Sequence, residues 1–122
     1  MKDDQIHVLK VEPGKAPESL EISNTLETMQ KIVDGYIEVC DLDDGICLVC
    51  NEEGKLRGLE ANRRIGQDII LGTFFLVGSD EEGDFCSLTA EQMEHYRQVF
   101  AEPETFTPQE IRDSFYFGLW PS

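Results

Sequence analysis

The stretch that decides the fold is Tyr36-Ile37-Glu38-Val39-Cys40-Asp41-Leu42-Asp43-Asp44-Gly45-Ile46-Cys47-Leu48-Val49-Cys50-Asn51. Two runs, Tyr36 to Cys40 and Ile46 to Asn51, are rich in apolar and β-branched residues. Between them, Asp43-Asp44-Gly45 supplies a turn, with glycine providing the positive φ that a tight turn needs. The pattern is an antiparallel hairpin. Ile46 to Cys50 carries no polar side chain, so it reads as a buried strand.

Working upstream, Ile6 to Val11 reads as a first strand, ended by Pro13-Gly14. Leu20 and Ile22 alternate with Glu21 and Ser23, which marks a second, half-buried strand. Asn24, with Glu27 three residues on, reads as the capping box of a helix. Leu26, Met29 and Val33 line one face of that helix, and Gly35 stops it. Downstream, Glu52-Glu53-Gly54 is a turn and Lys55 to Gly66 a long loop. Asp68 to Gly78 is an apolar strand, kinked or bulged near Gly72-Thr73. Ser79 to Gly83 is an acidic turn, and Asp84 to Ser87 starts a short return strand. Thr89 and Gln92 form a second capping box, with Leu88 and Met93 placed as a hydrophobic staple. Met93, Tyr96 and Phe100 fall on one face of this helix. After Glu102-Pro103-Glu104 the character changes, and Thr107-Pro108 opens a third helix.

The order implies an α+β fold: a mainly antiparallel sheet of about five to six strands, with two helices packed on one face. A short C-terminal helix follows. Residues 1–101 read as a single domain, and residues 102–122 as an aromatic C-terminal tail helix.

At 122 residues the chain holds one core; a second would be too small to stand alone. Hydrophobic residues at 40 % exclude wholesale disorder. The longest apolar run, Ile69 to Val77, is broken by Gly72-Thr73 and is far too short to span a bilayer. The opening Met1-Lys2-Asp3-Asp4 is polar and unlike a signal peptide. The expectation is a cytoplasmic protein with no membrane partner. The net charge is -15, from 25 acids against 10 bases. That charge repels phosphates, which argues against direct nucleic-acid binding, and it suits a basic partner surface. Solubility alone is the plainer explanation.

Cys47 and Cys50 have the spacing of a zinc or redox motif. On a strand, however, positions three apart point to opposite faces, so one metal cannot readily see both sulfurs. Cys40 and Cys86 complete a set of thiols read as structural, and no metal or cofactor is expected. His7 and His95 lie apart from any nucleophile motif, and no phosphate-binding, zinc-protease or dinucleotide fingerprint occurs. No catalytic residues are assigned, and the chain is read as a non-enzyme.

Two constellations remain. Lys55, Arg57, Arg63 and Arg64 concentrate four of the ten bases in a glycine-punctuated loop. With Asn51 and Asn62 they form a candidate grip for a nucleotide or other small anion. Alternatively, these bases offset neighbouring acids. The acidic turns Asp41, Asp43, Asp44 and Asp80, Glu81, Glu82, Asp84 form a candidate partner surface. The first of them resembles a calcium loop only in outline, because its glycine sits one place early. The tail aromatics Phe115, Tyr116 and Trp120 either complete the core or project as interface anchors or a homodimer contact.

At Tyr36-Ile37-Glu38-Val39, Cys50-Asn51-Glu52-Glu53-Gly54-Lys55-Leu56, Asn62-Arg63 and Gly72-Thr73, the chain resembles domain-of-unknown-function family 3846. These are small proteins encoded by phages, plasmids and conjugative elements of gut Firmicutes. The resemblance runs from about Ile6 to Phe100. Many relatives carry proline where this chain has Glu60-Ala61. The family brings no catalytic residues to carry over. It implies an accessory protein of a mobile element. Together with the charge of -15 and the absence of enzymatic motifs, this leads to the expectation of a protein that inhibits a host defence factor, a nuclease or effector, by presenting an acidic DNA-mimicking surface. Sequestration of a nucleotide or other anion by the basic loop is the alternative.

Overall fold

The computed structural model of the chain describes residues 4–119, with side chains described for residues 4–114. Strands β1 (Gln5–Val11) and β2 (Glu18–Ser23) form a first hairpin, followed by helix α1 (Leu26–Val33). Strands β3 (Ile37–Asp43) and β4 (Ile46–Asn51) form the hairpin expected around Gly45, whose φ is 74°. A four-residue helix α2 (Gly54–Arg57) leads into a second, separate ribbon of β5 (Ala61–Ile65) and β6 (Asp68–Leu71). Then come β7 (Phe74–Ser79), β8 (Phe85–Cys86), α3 (Ala90–Val99) and α4 (Pro108–Leu119).

The main sheet has six strands in the order β2-β1-β7-β4-β3, with β8 added on β7. Every pairing in it is antiparallel. The α+β class, the antiparallel sheet and the C-terminal helix are as the sequence implies. The placement of α1 and α3 is not. All six residues of β4 are buried, and the first five of β7 likewise. Side chains alternate across a strand, so these two strands present apolar surface in both directions.

On one side, Leu48, Phe74 and Leu76 pack with Leu9, Val11, Tyr96 and Phe100, which brings α3 onto that face. The ring of Phe100 meets Phe74 edge-on at 5.4 Å. On the other side, Val49, Phe75 and Val77 pack with Ile6, Val8, Met29 and Val33, which brings α1 onto the opposite face. The expectation of both helices on one face is therefore corrected: a strand apolar on consecutive positions needs cover on both sides. The β5–β6 ribbon joins α3 in covering the first face, through Ile65 and Ile70.

Three local readings also change. The cap of α1 is Thr25, not Asn24; its side chain accepts from the Thr28 N–H. The helix ends at Asp34, in the left-handed region at φ 61°. The stretch read as a long loop from Lys55 to Gly66 contains α2 and β5. The apolar run from Asp68 to Gly78 is two strands, because Gly72 at φ 86° redirects the chain. A Cβ there would lie 2.8 Å from Leu59 Cδ1. The capping box of Thr89 and Gln92 forms as read.

Strand β8 wedges in beside β7 and leans on β1, where Leu88 N–H donates to His7 O at 3.0 Å. This closeness depends on Gly78. A Cβ on Gly78 would meet Ser87 O at 2.8 Å and Cys86 Sγ at 2.9 Å. Gly78→Ala is expected to destabilise the protein by about 1–3 kcal/mol through overpacking, measured as a lowered urea midpoint.

Candidate functional site

The basic loop turns inward. Arg63 is fully buried, and its guanidinium and Nε together make five hydrogen bonds. Nε and Nη2 donate to Phe100 O, and Nη2 also to Lys15 O at 2.6 Å. Nη1 donates to Asn62 O and to Asn62 Oδ1 at 2.8 Å. Burial pushes the guanidinium's pKa down and the carboxylate of Glu104 opposes this; an arginine remains charged regardless. Asn62, equally buried, donates to Val11 O and Gly72 O. Asn51 donates to Val33 O and Asp34 O, which closes the end of α1, and accepts from Glu53 N–H.

The remaining bases are partnered at the surface. Arg57 donates to Asp34 O and meets its carboxylate at 3.3 Å. Lys55 Nζ lies 2.6 Å from Asp68 Oδ1 and donates to Ser114 O. Arg64 pairs with Glu110 at 2.8 Å and lies over the Phe106 ring. The Lys55 and Arg64 contacts dock α4 against α2 and the β5–β6 ribbon, while Arg57 ties α2 to the end of α1. The six residues expected to grip an anion thus point to different places. Asn51, Asn62 and Arg63 are framework, each engaged by buried backbone groups.

The acidic turns behave in the opposite way. Ile46 pairs with Gly78, and Ser79 N–H donates to Gly45 O at 2.9 Å. These links set the β3–β4 turn and the β7–β8 turn side by side at one end of the sheet. Asp41, Asp43, Asp44, Asp80 and Glu81 then line a shared open groove of about 470 Å³. Asp43 accepts from Tyr96 OH at 3.1 Å, which ties the groove to α3. Burial and the Asp43 carboxylate push the Tyr96 phenol up. Asp80 Oδ1 caps its own turn by accepting from Glu82 and Asp84 N–H. No lysine or arginine pairs with Asp41, Asp43, Asp44, Asp80 or Glu81 among the described residues. No cluster of three or more metal-binding side chains occurs among those residues either.

The thiols separate as strand geometry requires: Cys47 packs in the core beneath α1, Cys50 in the core beneath α3. Burial, helped by Cys40 and Glu38, pushes the Cys50 thiol up to about 12. Cys50 lines a second, smaller cleft of about 280 Å³ with Glu38, Lys55 and Asp68. His7 pairs with Glu21, and His95 stands edge-on to Tyr96. Phe115 and Tyr116 lie on α4, but their side chains fall outside the described residues, as does Trp120 altogether.

Residues 6–101 match the domain of unknown function DUF3846. The chain belongs to this family. No curated protein and no solved structure matches it. Several residues of the stretches quoted for the sequence resemblance, Asn51, Gly54, Asn62, Arg63 and Gly72, serve the framework of this fold. Gly54, for example, sits where a Cβ would lie 2.9 Å from Leu71 O. The match ends where the segment leading to α4 begins. No helix among the described residues is long and apolar enough to cross a membrane.

Two outcomes check this division. Arg63→Ala strands several buried carbonyls and is expected to cost about 2–4 kcal/mol in chemical denaturation. Arg64→Ala, which breaks a half-exposed pair, should cost under about 1 kcal/mol. In the native protein at pH 8, a thiol-reactive disulfide should modify exposed Cys40 before Cys50, which reacts only on unfolding. Peptide mapping by mass spectrometry reads the order.

Proposed function

We propose that this protein acts by binding, presenting its acidic groove to a basic surface on a partner protein and occluding that surface. In the setting that the family resemblance suggests, it is a cytoplasmic accessory protein of a phage or other mobile element. Its partner is then a host defence factor, a nuclease or effector, whose nucleic-acid-binding surface the carboxylates occupy in place of phosphates. It carries out no chemistry of its own in this reading. The observation that supports it is the convergence of two sequence-distant acidic turns on one groove, with no lysine or arginine paired to its carboxylates among the described residues. Carboxylates left unpaired at an open surface give long-range steering toward positive charge. The small-anion alternative has less behind it, since the bases it needs are engaged within the fold.

The test compares the wild type with a variant carrying Asp43→Asn, Asp44→Asn, Asp80→Asn and Glu81→Gln. The amides retain acceptors for the Tyr96 hydroxyl and the Asp80 turn. Each protein is immobilised, exposed to nuclease-treated host lysate, and eluted with a salt gradient. Nucleic-acid-binding proteins should be retained by the wild type, released below about 0.5 M salt as screening shortens the field, and largely lost from the variant. Equal retention by both proteins would overturn the reading.

A further inference from the structure

We infer that the partner docks by adding a strand to the open edge of β3, and that the added segment is extended and basic. This rests on the binding role proposed above and specifies its geometry. Among the described residues, strand β3 ends the sheet, with β4 as its single neighbour. Glu52 N–H donates to Tyr36 O. In an antiparallel ladder, hydrogen-bonded pairs alternate, so Glu38 and Cys40 face β4. The backbone N–H and C=O of Ile37, Val39 and Asp41 therefore point away from the sheet. The register shift between Asp41 and Asp43 closes this pairing edge just where it meets the acidic groove.

The other sheet edge, β2, is also open among the described residues, but its glutamates already face basic side chains of β1. Glu18 lies 3.4 Å from Lys10, and Glu21 the same distance from His7, both across the β1–β2 pair. On β3, Glu38 and Asp41 stand opposite Cys50 and Cys47 and accept only from those thiols, at 3.9 and 3.7 Å, among the described residues. Free backbone donors and acceptors together with unanswered carboxylates define an edge that takes a cationic strand. A second copy of β3 would set acids against acids. Glu38 and Asp41 lie on opposite faces of the strand, so the added segment carries lysine or arginine three residues apart. Val39, 45 % exposed between them, meets an apolar side chain.

The experiment titrates the full-length protein with a capped decapeptide of threonine and valine carrying two lysines three residues apart. A second peptide of the same sequence is N-methylated at alternate residues, so that it keeps its charge but cannot extend a ladder. Val39→Pro is the matching change in the protein. Its missing N–H faces outward, so the β3–β4 ladder is retained, as an amide spectrum will verify. Strand addition predicts slowed hydrogen exchange at Ile37, Val39 and Asp41, and binding about tenfold weaker for the methylated peptide and for Val39→Pro. Equal affinity for both peptides, lost in the groove variant, would overturn strand addition and leave the electrostatic role standing. No binding of either peptide also overturns strand addition, while the lysate measurement continues to report on the role itself. Dimerisation through β3 at neutral pH would overturn the inference as well.

Discussion

The register between β4 and β7 is the constraint on which the rest depends. Both strands are apolar at consecutive positions, so pairing them creates a sheet centre with two faces to cover. The cover differs by face: α1 on one, α3 with the β5–β6 ribbon on the other. The same pairing fixes which turns are neighbours. Ile46 opposite Gly78 leaves the β3–β4 and β7–β8 turns flanking one end of the sheet. The hydrophobic effect drives the burial of this pair, and the acidic groove lies where their register leaves the two turns.

Charge is distributed unevenly about this frame. The bases of the Lys55 to Arg64 segment hold the molecule together: Arg63 ties β5 to Lys15 and to the end of α3, and Arg64 with Lys55 secures α4. Lys10 does the same for the edge at β2. The acids are in large excess, and those at the far end of the sheet are left facing water. A local cluster of arginines thus serves cohesion, while five carboxylates of this acidic chain gather at one groove. A buried guanidinium is tolerable because four bonds to backbone carbonyls and one to the Asn62 side-chain oxygen meet its donors.

Much of this was legible in the chain. The β3–β4 hairpin, the capping box at Thr89 and the opposite orientation of Cys47 and Cys50 all follow from periodicity and turn chemistry acting over a few residues. The acidic turns could be named, although not that they meet. The basic loop misled because glycines and arginines look alike in a phosphate grip and in a buried tie. The distinguishing fact, that Phe100 O and Lys15 O lie within reach of Arg63, involves residues 37 and 48 positions away.

By itself, then, the sequence determined most of the local elements outside residues 54–78, the class of fold and the sign of the net charge, because each depends on neighbouring residues or on a sum over all of them. The tertiary structure decided which face each helix covers, which bases are consumed and which acids stand together. Those outcomes depend on contacts between residues far apart in the chain. Burial on both sides of β4 and β7 brings them about, and no short window of sequence contains them.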